Sequence, residues 1–494
     1  MVAQPTPAPS RSALGNATVL TVGAAAETVL QFSFLVIAGR QLGPEEFGFY
    51  GYLLSIVTMA VALAHFGLPV VGVRELAQRP DNEHSTLAAI FRIRALLSVT
   101  IFAAAFFTAL VSPVTPTHRV AVWLTFAYLL FVPFDLSLLF DARKLSRWDV
   151  PGKLAGRLVS VGLLMLLWQV KGTVTVVDVA LCSSVLMLVS VSVGWQVGRK
   201  LSLPLRWLVP TTETWRLIRA SAPVLWSNGM TIAFTQSQVI LLKWLSTALE
   251  TGYYSLASRL MMPVLVFRGV LYRVMLPLVS EVALDRAALT ARLERLLMVL
   301  ALIFMPAVAL AIPVAEVILV PVFGPEYAGA VLPFQISVSV LWLTGMGAMF
   351  GTSLLASGDA KTPTIGLTWG CTLSLIFAAL TVPRYGATGA AWSSCLGELV
   401  SVAYTLPRFL KQCRPQIMGR LLRVAFTSLC GTALYYGLHL TVSVPKAAAL
   451  GIACVALLMG LRLIGEISPA GLRSLFSLFR KPSANTAEKQ PVDL

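Results

Sequence analysis

Apolar residues in this chain fall into long blocks separated by short charged connections. Most blocks reach or approach the roughly 20 residues that a helix needs to cross a bilayer. In chain order they predict helices one to six at about 17–38, 47–68, 87–111, 120–140, 151–170 and 174–197. Helices seven to twelve are expected at about 223–245, 252–280, 296–322, 328–356, 363–382 and 386–406, with a final pair at 424–440 and 445–464. The first block has no small-residue cleavage exit, so it is expected to stay as a spanning helix. The polar remainder supplies a disordered tail at 1–14, an amphipathic connection at 199–220 and a second tail at 466–494.

Composition confirms the class that the pattern suggests. With 57% hydrophobic and 12% charged residues, the 494-residue chain is a polytopic membrane protein and not a soluble globular one. Its net charge of +16 would suggest nucleic acid in a soluble protein, but its placement gives another reading. Of 38 lysines and arginines, thirty-one fall in connections on one side of the fourteen-helix scheme, six on the other, and Arg259 inside a span. Positive charge marks the cytoplasmic side, so both termini are expected there and no nucleic-acid partner is implied. The 6 cysteines have no paired or metal-ligand spacing and read as small hydrophobes.

The chain repeats itself. Glu250-Thr251-Gly252-Tyr253-Tyr254 matches Glu46-Phe47-Gly48-Phe49-Tyr50 at an offset of 204, a register that lays helix seven over helix one. Six helices per half give the halves the same orientation, so the axis relating them lies along the membrane normal and a cavity is expected between them. The expected lobes are 15–198 and 221–410, with 411–465 as an additional helix pair.

The turn that closes helix one, Arg40-Gln-Leu-Gly-Pro-Glu-Glu-Phe-Gly-Phe-Tyr50, resembles the polysaccharide-transport branch of the multidrug/oligosaccharidyl-lipid/polysaccharide exporter superfamily. The Gly386-Ala-Thr-Gly-Ala-Ala391 opening of helix twelve resembles it too. This resemblance implies an all-α fold of two six-helix lobes in parallel repeat around a central cavity, plus a C-terminal helix pair. It also implies a flippase of undecaprenyl-pyrophosphate-linked oligosaccharide repeat units in the bacterial inner membrane. Polymerase and co-polymerase partners would follow from that role, alongside membrane lipid.

The candidate site begins in the stretch 252–280, which is apolar yet carries Arg259, Arg268 and Arg273. An intramembrane arginine is rare and usually faces a wet cavity or a partner. At about 100° and 1.5 Å per residue, Arg259 and Arg273 share one helix face about 21 Å apart, while Arg268 falls opposite. Guanidinium forks suit pyrophosphate oxygens in a poorly hydrated site, so Arg259 and Arg273 are assigned to the substrate head, with Arg40 and Arg74 as rim contacts. Interfacial anchoring is the competing reading for the helix-eight arginines and for Arg40. Glu27, Asp135, Lys243 and Glu398 lie inside apolar blocks as ion or cavity groups, or as pairs hidden between helices.

Enzyme chemistry is not expected. There is no Walker A sequence and the four histidines lack metal spacing, so neither a cofactor nor a metal is implied. A peptidoglycan-precursor lipid flippase and an ion-coupled multidrug exporter of the same superfamily are the alternatives. Glu27 favours the exporter, and the arginines favour an anionic substrate head.

Overall fold

The computed structural model describes residues 11–79, 82–201, 213–261, 275, 278–282, 285–413, 416–441 and 445–463. Every regular element among them is helical. In chain order they are α1 (Arg11–His65), α2 (Leu68–Gln78), α3 (Glu83–Val111), α4 (Pro116–Ala127), α5 (Ser137–Ala142), α6 (Val150–Lys171), α7 (Val176–Lys200), α8 (Glu213–Leu245) and α9 (Ala248–Leu260). The rest are α10 (Arg286–Phe323), α11 (Val331–Ser339), α12 (Leu341–Ala356), α13 (Lys361–Gln412), α14 (Met418–Thr441) and α15 (Lys446–Leu463).

Among the described residues, 9 segments are long and apolar enough to cross a membrane. Two of them, Val19–Gln78 and Lys361–Gln412, each take in two expected spans. Their bends sit where a chain with side chains would be strained: Gly43 has φ 69° inside α1 and Gly386 has φ 52° inside α13. Pro44 directly after Gly43 restarts the helix, because its fixed φ suits a first turn.

Two segments depart from the sequence pattern. The stretch expected as a loop after helix two is the helix α2, whose buried Leu68, Val71, Gly72, Glu75 and Leu76 follow helical spacing on one face. Its charges hid an amphipathic pattern too short to read as a span. Expected helix four breaks into α4, a 3-10 turn at Tyr128–Phe134 and α5. Pro133 lies in that turn, and the Asp135 carboxylate accepts from the Ser137 amide at 3.0 Å and its hydroxyl at 2.7 Å, a local bond that competes with helix. Of expected helix eight, α9 covers the start; Arg268 and Arg273 lie outside the described residues.

The chain divides into two compact units. The first holds residues 1–260, 322–333 and 371–394. Its interior has one cluster around Leu68, Ile90, Leu139 and Phe140, and another around Val57, Phe126 and Leu129. Close helix packing relies on small residues: Gly152 and Gly156 of α6 lie against the Ser190 and Leu186 backbone of α7. The second unit holds 261–321, 334–370 and 395–494. Its core runs from Leu289 and Leu293 through Phe304, Phe350 and Phe409 to Val424 and Leu457. Large exposed side chains such as Phe107, Val170, Leu380 and Phe426 face outward, as lipid-facing surface requires.

Candidate functional site

The first unit brings the two copies of the repeated motif against each other. A Cβ on Gly48 would strike the Ala248 carbonyl and the Gly252 amide, and one on Gly252 would strike the Pro44 carbonyl. The motif glycines, 204 positions apart, thus meet each other with no room for a side chain on either. The tyrosines two residues on make matching bonds: Tyr50 Oη lies 2.8 Å from Ser183 Oγ, and Tyr254 Oη 2.8 Å from Ser394 Oγ. The carboxylates ahead of the glycines also anchor neighbours, Glu46 at 3.1 Å from His118 Nε2 and Glu250 accepting from the Ala387 amide at 2.7 Å.

Arg259 sits about two turns beyond this crossing. Its Nη2 donates to the Gly51 carbonyl at 3.0 Å and its guanidinium lies 6.0 Å from the Tyr50 ring centre. Its Nε is buried without a hydrogen-bond partner among the described residues. Among the described residues, no carboxylate pairs with it. Lys243 is nearby in sequence terms on α8, with Nζ 5.7 Å from the Phe49 ring centre. A cation near an aromatic face keeps some of its charge compensated without a counter-ion.

A separate polar cavity of about 190 Å³ lies within the same unit. Glu27 and Asp135, predicted separately from the sequence, both line it. Around them stand Asp149, Lys153 and Arg157 of the α6 end, His65 at the end of α1, and Ser190 of α7. Arg157 Nη2 is 3.9 Å from Glu27 and Lys153 Nζ is 2.7 Å from Asp149. Buried Arg94 donates to the Asp135 backbone carbonyl at 3.3 Å.

The remaining predicted residues are placed apart from these groups. Arg40 is exposed. Arg74 is exposed on α2, 3.9 Å from Glu75, which also accepts from Arg216 at 2.8 Å. Glu398 is buried within the second unit, on the stretch of α13 that faces Gly347. That unit has its own polar cluster, in which Glu316 accepts from Tyr436 at 3.1 Å and lies 3.7 Å from Lys446 Nζ. The sequence reading missed Arg94, Lys153 and Arg157, which were counted as loop charge. Spacing could have found two of them, since Asp149, Lys153 and Arg157 recur every four residues on one face.

No described cluster of His, Cys, Asp or Glu could hold a metal ion. All 6 cysteines are free. Outside the spans, the Glu83 carboxylate beside Arg143 holds that guanidinium above its ordinary value. Hydrogen bonds from Thr362 hold the Asp359 carboxyl below the usual carboxylate range.

A bundle of long apolar helices with charges held inside it defines a multi-pass membrane transporter. The family can be named more narrowly: the chain belongs to the polysaccharide biosynthesis protein family, whose model matches residues 13–283. A comparison with curated protein sequences finds no match. Among solved structures, the chain is similar to a lipid II flippase, MurJ, in its inward closed conformation, with 12% identity, a TM-score of 0.72 and coverage of 90% of this chain and 98% of that one. It is also similar to a multidrug resistance MATE family transporter of the MOP superfamily in an inward-facing conformation, with 14% identity, a TM-score of 0.60 and coverage of 81% and 96%. An outward-facing conformation of such a transporter gives 16% identity, a TM-score of 0.55 and coverage of 80% and 94%. At these identities the likeness is one of fold. Family and fold are those of transporters, not of enzymes.

Proposed function

We propose that the protein is a flippase that moves polyprenyl-pyrophosphate-linked oligosaccharide repeat units across the bacterial inner membrane for O-antigen, capsule or exopolysaccharide assembly. One observation carries the reading. Arg259 is held within an apolar, membrane-spanning chain, and among the described residues it has no carboxylate partner and its Nε has no hydrogen-bond partner. A guanidinium kept in this state is a latent partner for an anionic head, since charge-assisted bonds to phosphate oxygens are strong where water is scarce. Membership of the polysaccharide biosynthesis family supplies the glycan, and the likeness to a lipid II flippase is consistent with a lipid carrier. Arg273, Arg40 and Arg74 are proposed as further contacts to the head, and Lys243 and Glu398 as polar groups along its route. Transport proceeds by alternating access, with both termini cytoplasmic. Membrane lipid carries the prenyl tail, and a polymerase with its co-polymerase receives the product.

The test is export of surface polysaccharide in a host lacking its own repeat-unit flippase. Wild type restores polymer, Arg259→Ala reduces it at least about ten-fold at equal membrane level, and Arg259→Lys retains part, as loss of about 1.4 kcal/mol or more of head-group binding requires. Equal export by all three variants would remove Arg259 from the site. The likeness to the lipid II flippase over 90% of the chain favours a second reading, a flippase of peptidoglycan precursor. Rescue of growth in a host depleted of its peptidoglycan flippase, without rescue of surface polymer, would establish that reading instead.

A further inference from the structure

The cavity shared by Glu27 and Asp135 is not used by the reading above, and its chemistry differs from that of Arg259. Its charges are balanced. Glu27 faces Arg157 at 3.9 Å, Asp149 faces Lys153 at 2.7 Å, and Arg94 stands behind Asp135. A site built for a bare cation or anion presents an excess of the opposite sign, because a desolvated ion needs its charge compensated. Here the walls already compensate one another. A neutral ligand can enter without leaving any of them unpaired.

The same walls have hydrogen-bonding capacity to spare. At 3.9 Å the Glu27–Arg157 pair is too long for a hydrogen bond, so both groups can bond to something between them. A ligand rich in hydroxyls would meet these groups by donating to carboxylate and accepting from guanidinium. The lining also includes Tyr128, Val132, Met187 and Val191, apolar surface suited to ring C–H groups. At about 190 Å³ the space takes several waters or one sugar ring, far more than a single ion requires.

We propose that this cavity is a monosaccharide subsite, which binds one neutral pyranose of the glycan through Glu27, Arg157 and Asp149. The proposal rests on the flippase reading for its substrate class. It goes beyond that reading in assigning the sugar, and not the pyrophosphate, to this cavity. Asp149 and Lys153 lie beside the basic connection at 143–147, which the proposed topology puts on the cytoplasmic side.

The subsite is tested without lipid or pyrophosphate. Purified full-length protein in nanodiscs is mixed with free glucose, galactose, mannose and N-acetylglucosamine, and binding is read by saturation-transfer NMR. Gly194 lines the cavity, and a Cβ there meets nothing within 4 Å, so Gly194→Leu fills the space without a clash in the backbone. At least one sugar binds wild type, binds Gly194→Leu about ten-fold or more weakly, and binds Glu27→Gln several-fold more weakly, with thermal midpoints unchanged. If Gly194→Leu does not fold, Glu27→Gln alone decides, because it preserves shape and changes only the acceptor. Absence of binding by any sugar overturns the proposal, as does binding indifferent to both substitutions. Binding of ²²Na⁺ that Gly194→Leu abolishes, with no sugar bound, assigns the cavity to a cation and also overturns it. Export by wild type together with absent sugar binding removes the subsite and leaves the flippase; sugar binding without export in any host does the reverse.

Discussion

At the scale of single residues, the charges that matter are those the fold holds in place. Arg259 could be read from the sequence because a charge in an apolar block is conspicuous. Arg157 and Lys153 could not be read so easily, because they stand near the end of α6, where a helix cation is ordinarily an interfacial anchor. Only the approach of Glu27 on α1 gives Arg157 an interior partner. Outside the membrane, Asp359 shows what local bonds do to a carboxyl. The Thr362 hydroxyl donates to Oδ2 at 2.6 Å and the Thr362 amide to Oδ1 at 3.1 Å, with Arg408 at 3.8 Å, and together they lower its pKa. A lowered carboxyl pKa contributes stability that is complete above the unfolded value of about 3.9 and is lost as pH falls through the native value. The difference in thermal midpoint between wild type and Asp359→Asn is therefore expected to be positive near neutrality and to shrink below about pH 4. A difference that stays constant down to pH 3 would show that ionisation of Asp359 contributes nothing.

At the scale of elements, close approach sets the limits. The crossing of α1 and α9 leaves no space at Gly48 or Gly252, since the atoms opposite are backbone and cannot rotate away. Overpacking against such atoms costs about 1–3 kcal/mol or more. Gly48→Ala and Gly252→Ala are expected to lower the thermal midpoint and the yield of monodisperse protein after extraction. Gly162→Ala on α6, with nothing within 4 Å of its Cβ, is expected to leave both unchanged. Equal behaviour of all three in fluorescence-detected size exclusion would count against the crossing. The repeat itself was legible as Glu46 to Tyr50 over Glu250 to Tyr254, but its meaning was not. Nothing in a pattern of residues says that the two copies touch. The opposite failure occurs in α4 and α5, where an apolar block of spanning length hid a break. Hydropathy integrates over the block, whereas Pro133 and the Asp135–Ser137 bonds act on one turn.

At the scale of the whole molecule, apolar length and loop charge carry independent information, and together they make the topology testable. The helical, membrane-spanning class was fully legible, because a chain with 57% hydrophobic residues can satisfy its backbone in lipid only within helices or closed barrels. The number of crossings is less directly given: α8 is less apolar than the segments that qualify, and Ala448–Arg462 is shorter than they are. Loop charge nevertheless demands alternation, since each crossing changes the side on which the next connection emerges. The proposed topology puts the connection before α4 outside and those before α6 and before α13 inside. In a variant freed of its 6 native cysteines, all unpaired, cysteines at Thr117, Arg147 and Ala360 probe the three connections. A membrane-impermeant maleimide added to intact cells is expected to label only Thr117→Cys, and to label all three after the membrane is opened. Labelling of Ala360→Cys in intact cells would mean an odd number of crossings between positions 147 and 360. The even count on which the parallel relation of the two repeats rests would then fail.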